Sequence, residues 1–186
     1  MRAAVCVRAG GPEVLEVREL PVPAVRDGWS LVQVRGAGLN RSELRTRQGH
    51  SPAVTFPRVL GIECVGTVAV STDPVLPAGT TVAAVMGEMG RAFDGGYAEY
   101  ALLPNSLLMP VTTTLPWEVL AALPETYLTA QGSLDALGVA PGGQGRLLIR
   151  GGTSSVGMAA ASIRSEERRV GKECSHWCIS RWSPYH

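Results

Sequence analysis

Between Met1 and about Pro110 every apolar run is stopped within a few residues by glycine, proline or aspartate, and this punctuation leaves no room for a long helix. Short apolar runs separated in this way read as a compact antiparallel β domain. AAVCV, LEVREL, SLVQVRGAGL, ECVGTVAV, TTVAAV and YAEYALL are the expected strands. PVPAVRDGW, STDPVLPAGT and MGRAFDGG are the expected turns, where Gly and Pro supply φ values that other residues avoid. One helical piece interrupts the series, SELRTRQG, with Ser42 as its expected cap.

The texture changes at TLPWEVLAALPETYLTAQGSLDALG, where apolar residues recur three and four apart and predict helix. A second domain is expected to begin here, its boundary between Pro110 and Pro124, dividing the chain into 1–115 and 116–163. After the loop PGGQG come RLLIRG, a short apolar strand, and GTSSVGMAAASI, a tight turn followed by a helix start. Leu147 to Gly157 thus offers the strand, glycine turn and helix order that a dinucleotide's pyrophosphate needs. Gly151 and Gly152 form the turn, and Thr153, Ser154, Ser155 and Val156 bring N–H groups and hydroxyls towards a phosphate. Gly157 lets the helix approach the strand. A glycine-rich βα turn in any α/β protein looks the same, so the turn alone leaves that alternative open.

Charge narrows the partners. Met1 to Ile163 holds twelve arginines, no lysine and thirteen acidic residues, which is a net charge of about −1 and no basic field for nucleic acid. No stretch approaches the ~20 apolar residues that cross a bilayer, and MRAAVCVRAGG lacks the apolar run of a signal peptide, so a cytoplasmic protein is expected. Cys6 and Cys64 sit among apolar residues and read as buried, reduced thiols. Asp94 with Glu99, and Glu16 with Glu19, read as solvated surface.

The last segment is foreign to the rest. Arg164 to His186 contains the only lysine, Lys172, with two of the four cysteines and two of the three histidines. KECSHWC raises the question of a metal, but Cys174, His176 and Cys178 offer three ligands where structural zinc takes four. RSEERRVGKEC instead resembles, codon by codon, translated sequencing-library adapter, and CISRWSPYH continues that match to within one residue. The expectation is that 164–186 is artefact, that the natural sequence departs after Ile163, and that the segment is set aside in fold reasoning.

Four motifs in order, PRVLGIECVGTV, DGGYAEYALLP, ALPETYLTAQGSL and GGTSSVG, resemble the medium-chain dehydrogenase/reductase family across residues 1–163, specifically its zinc-independent quinone oxidoreductase branch. The resemblance implies a mixed β and α/β architecture, in which an N-terminal GroES-like β-barrel is followed by the beginning of a truncated Rossmann (doubly wound) domain. It further implies NADPH as cofactor, hydride transfer to a small-molecule quinone or activated enone, and a homodimeric full-length form. NADP over NAD rests on the family alone, because the discriminating residue falls about twenty positions past the glycine turn.

Zinc-dependent members resemble this chain around GLNRSEL and LGIE, but carry cysteine where Asn40 stands and histidine where Ile62 stands. Asparagine is a poor zinc ligand and isoleucine none, so Glu63 alone cannot build an open tetrahedral site. Without Lewis-acid zinc, alkoxide stabilisation is lost, whereas quinone or enone reduction needs mainly a positioned hydride and a proton source. The branch's N-x-x-D pattern falls on Asn40, with Glu43 replacing Asp, and the resemblance assigns catalysis to Asn40, Glu43 and Tyr127. Thr129 joins the glycine turn in the cofactor set. Where relatives have a tyrosine after QG, this chain reads QGHS, placing Ser51 there with His50 beside it, either a proton donor or an exposed loop histidine. An enoyl-thioester reductase of the same family and a non-catalytic GroES-like binding module remain open alternatives. With one strand standing for a six-stranded Rossmann sheet, the chain as written is expected to be inactive.

Overall fold

A computed structural model describes residues 1–139 and 146–167 and divides the chain between Glu125 and Thr126 into two compact units. The expectations concerning Lys172, Cys174, His176 and Cys178 lie outside the described residues. No helix among the described residues is long and apolar enough to cross a membrane.

The first unit is built from antiparallel strands. β1 (Arg2–Cys6), β2 (Leu15–Glu19), β3 (Trp29–Gly36), β4 (Arg58–Val59), β5 (Glu63–Ser71), β6 (Thr81–Val85), β7 (Tyr100–Pro104) and β8 (Leu108–Pro110) form two sheets, ordered β2-β1-β4 and β7-β3-β5-β6-β8. Between the sheets, the Ala4 N–H donates to the Tyr97 carbonyl at 2.8 Å and the Glu99 N–H to the Arg2 carbonyl at 3.0 Å, so the two are stitched along one seam. This is the GroES-like arrangement that the sequence implied.

Strand β5 lies at the middle of the larger sheet, and its first four residues, Glu63 to Gly66, are all buried. Gly66 is there because a Cβ would collide with the Gln33 carbonyl of β3, which crosses directly opposite. Two register shifts along β3, at Leu31/Val32 and Val34/Gly36, coil the sheet as bulges do. One core gathers Val32, Cys64, Val68, Val82 and Leu103, each valine and leucine side chain contributing about 1.5–3 kcal/mol of burial. A second joins Val65 and Ala83 to Leu120 and Ala121, where helix α2 (Trp117–Leu120) covers the opposite face of the sheet.

Three local expectations are corrected. Helix α1 (Arg41–Arg47) is capped by Asn40, not Ser42. The YAEYALL strand starts only at Tyr100, because the Tyr97 carbonyl and the Glu99 N–H are spent on the seam with β1. RLLIRG does not form a strand: residues 146–149 carry no sheet pairing, and Leu148 is 92% exposed. A parallel strand exists only through its neighbours, and the described residues after Pro110 include no strand to pair with it. Helix α3 (Pro124–Ala136), whose first two residues belong to the first unit, ends with Gly138 at φ +66° and hydrogen bonds from Gly138 to Asp135 and Val139 to Leu134, a left-handed glycine stop. Helix α4 (Ser155–Glu167) follows the glycine turn.

Candidate functional site

Asn40 and Glu43 meet at the start of α1. The chain arrives extended at Asn40 and turns helical at Arg41, and Asn40 forms a capping box with Glu43. The Asn40 side chain accepts the Glu43 N–H, and Glu43 Oε2 accepts the Asn40 N–H at 3.1 Å. The other Glu43 oxygen accepts the Ile62 N–H at 2.9 Å, so this carboxylate, 6% exposed, ties α1 to the segment leading into β5. Both oxygens of Glu43 are thus engaged on backbone amides.

The neighbour that matters most to Asn40 is Glu63, the first residue of β5, 2% exposed. Asn40 Nδ2 donates to Glu63 Oε1 at 2.7 Å, while Glu63 Oε2 accepts the N–H of Glu125 at 2.8 Å. Burial pushes the Glu63 carboxyl above its ordinary range, and the Asn40 and Glu125 donors pull it back in part. Gly38 has no side chain because a Cβ there would run into the Glu63 carboxylate. Tyr97 donates to the Gly38 carbonyl at 3.1 Å, and burial, with the Glu43 carboxylate beside it, pushes its phenol well above its ordinary value. Ile62 is buried, and no group of three or more His, Cys, Asp or Glu side chains that could hold a metal occurs among the described residues.

Ser51 Oγ lies 2.8 Å from Thr46 Oγ1 and so closes the end of α1. His50 is exposed. Cys6 and Cys64 are buried and free, as expected, and burial pushes the Cys64 thiol up to about 12. Asp94 and Glu99 are at the surface but partnered, with Arg58 at 3.0 Å and Arg2 at 2.9 Å. Glu16 bonds Arg18 at 2.7 Å, and Glu19 lies 3.4 Å from the N-terminal ammonium. Sequence reasoning missed Glu63 as the partner of Asn40 and Tyr97 as the partner of Gly38, because positions so far apart in the chain carry no pairing signal.

The second unit holds the remaining residues. Gly151 sits at φ +78°, a left-handed conformation, and a Cβ on Gly157 would meet the Gly151 carbonyl. Gly157 therefore serves the turn's own backbone rather than contact with a strand. Ser154 Oγ donates to the Gly151 carbonyl at 2.8 Å and accepts the Gly157 N–H at 3.1 Å, capping α4. Its hydroxyl is spent on the turn, while Gly152, Thr153 and Ser155 face solvent. The N–H groups of Ser155 and Val156 lie in the first turn of α4, where no intrahelical acceptor exists. Tyr127 and Thr129 are exposed on α3, and Tyr127 Oη lies 3.4 Å from Ser162 Oγ on α4.

Comparison with known proteins places this geometry. Residues 26–113 match the alcohol dehydrogenase GroES-like domain. The chain is 30% identical over 170 residues to the quinone oxidoreductase of Homo sapiens, covering 88% of this chain and 49% of that protein. Among solved structures it resembles an NAD-dependent alcohol dehydrogenase, with TM-score 0.80 and 33% identity over 89% of this chain and 55% of that one. It also resembles the quinone oxidoreductase of Thermus thermophilus, solved with NADPH, with TM-score 0.72 and 30% identity over 89% of this chain and 50% of that one. The chain spans about half the length of the relatives it matches.

Proposed function

We propose that the chain belongs to the medium-chain dehydrogenase/reductase family and contributes the substrate-binding barrel and the pyrophosphate turn of an NADPH-dependent reductase of quinones or activated enones, working without catalytic zinc. The observation that carries this reading is the 2.7 Å bond from Asn40 to Glu63. Where zinc-type relatives place a thiolate ligand, this site holds a neutral amide, oriented by a buried carboxylate, beside the apolar Ile62. Such a site offers a hydrogen-bond donor to a carbonyl and no ligand set for an alkoxide-binding metal.

The second unit fits the cofactor. Gly151 turns the chain in its left-handed conformation, and Gly157 lets the Gly151 carbonyl close onto the start of α4, so the turn stays tight and carries little side-chain bulk. The N–H groups of Ser155 and Val156 and the exposed hydroxyls of Thr153 and Ser155 would hold the pyrophosphate. When bound, NADPH supplies the hydride. Asn40 would donate its amide N–H to a substrate carbonyl oxygen, and Glu43 keeps α1, and with it Asn40, fixed to the segment leading into β5. Tyr127 and Thr129, exposed on α3, are assigned to the nicotinamide side.

We further propose that the 186-residue chain does not turn over by itself, since it spans about half of its relatives. The test joins residues 1–163 to the C-terminal half of human quinone oxidoreductase and follows NADPH oxidation. Quinone-dependent oxidation that a zinc chelator leaves unchanged is the expected result. Alcohol oxidation abolished by the chelator, with no quinone reduction, would overturn the reading.

A further inference from the structure

An asparagine side chain can donate two hydrogen bonds through Nδ2 and accept through Oδ1, and which way it points decides what a ligand meets. At Asn40 both ends are fixed. The Glu43 N–H at the helix start requires an acceptor, which is Oδ1, and the Glu63 carboxylate oxygen at 2.7 Å requires a donor, which is Nδ2. Reversing the amide would set oxygen against carboxylate and N–H against N–H. The remaining Nδ2 hydrogen has no partner among the described residues.

Glu63 is itself constrained from two sides. Oε1 accepts from Asn40 and Oε2 accepts from the Glu125 N–H at the start of α3, so an ionised carboxylate satisfies both donors where an amide of the same shape cannot. Gly38 leaves the space this carboxylate occupies. We propose that Glu63 is a positioning residue that holds the Asn40 amide with one N–H outward, so that the site accepts a carbonyl oxygen and rejects groups that can only donate. This inference rests on the reductase reading and adds to it the polarity of the substrate group.

The polarity can be swapped. Glu63→Gln alone sets a donor against either Asn40 or the Glu125 N–H. In the double variant Asn40→Asp/Glu63→Gln, the new amide at position 63 donates to the new carboxylate at position 40 and accepts from Glu125, with net charge unchanged and the helix cap retained. The test uses the full 186-residue chain, ¹⁵N-labelled, with the Asn40 side-chain amide assigned by its disappearance in Asn40→Asp. One Nδ2 proton is expected downfield and slow to exchange, and Glu63→Gln should return it to an ordinary amide position. The double variant should recover the melting temperature that Glu63→Gln loses, a readout that survives even if the single variant unfolds. Asn40 amide protons unmoved by Glu63→Gln, or a double variant that melts no higher than the single one, would overturn the proposal. Cyclohexenone titrated into the wild type should shift the outward proton. With the Glu63 bond demonstrated, an unmoved outward proton overturns the carbonyl reading of the substrate, while the positioning role is confirmed by the bond itself.

Discussion

Asn40 has two jobs that can be separated by one substitution. Asn40→Ser keeps a capping oxygen for α1 but is too short to span to Glu63. In the chimera described above, kcat/KM for quinone should fall by about 10²-fold, the scale of losing one preorganised donor, while stability falls by about 1–3 kcal/mol, the cost of leaving the buried Glu63 oxygen without its donor. Steady-state kinetics beside a urea melt separates the two effects. Glu63 makes a second prediction. Its carboxyl is raised by burial, so between the unfolded value and the raised folded one the native state holds more protons than the unfolded state. Stability from this group is therefore greatest at low pH and declines as pH rises through that window. The advantage of wild type over Glu63→Gln should accordingly be larger near about pH 5 than near about pH 8, read from urea melts at each pH. Cys64, pushed up to about 12, carries a thiolate fraction of only about 10⁻⁴ at about pH 8. Alkylation should leave it untouched until the protein unfolds, and mass spectrometry with and without denaturant checks this.

At the scale of elements, the close pairing of β3 and β5 depends on Gly66. Gly66→Ala drives a methyl group into the Gln33 carbonyl, and neither backbone can retreat without breaking the ladder, so a loss of about 1–3 kcal/mol is expected in a urea melt. Most of these strands were legible because apolar runs between glycine and proline stops leave few other structures available. Strands β4 and β8, of two and three residues, are too short to show any alternation. The α1 cap was misread although its signal was present: Asn40 is followed three residues later by Glu43, completing the N-x-x-E form of a capping box, whereas Ser42 is followed by Arg45. The glycine turn was legible as a turn, but not the consumption of the Ser154 hydroxyl within it, because a side chain's choice between its own backbone and a ligand is not written in residue type.

At the scale of the molecule, Leu147 to Ile149 read as a buried strand and are not paired as one. Their amides should exchange at unprotected rates in this chain and gain at least about 10²-fold protection in the chimera, where a parallel sheet can form around them; hydrogen exchange with mass spectrometry decides. The amino-acid sequence by itself determined the antiparallel β class, the helix-rich change after Pro110, the buried thiols and the position of the glycine turn before α4. All of these follow from local pattern, periodicity and the special backbone of glycine and proline, which act within a few residues. Only the tertiary structure decided that Glu63 reaches Asn40 across 23 positions and Glu125 across 62, and that Tyr97 closes over Gly38. Those partners are brought together by sheet register and by the apolar core that fixes it, and a buried carboxylate takes whatever donors that packing delivers.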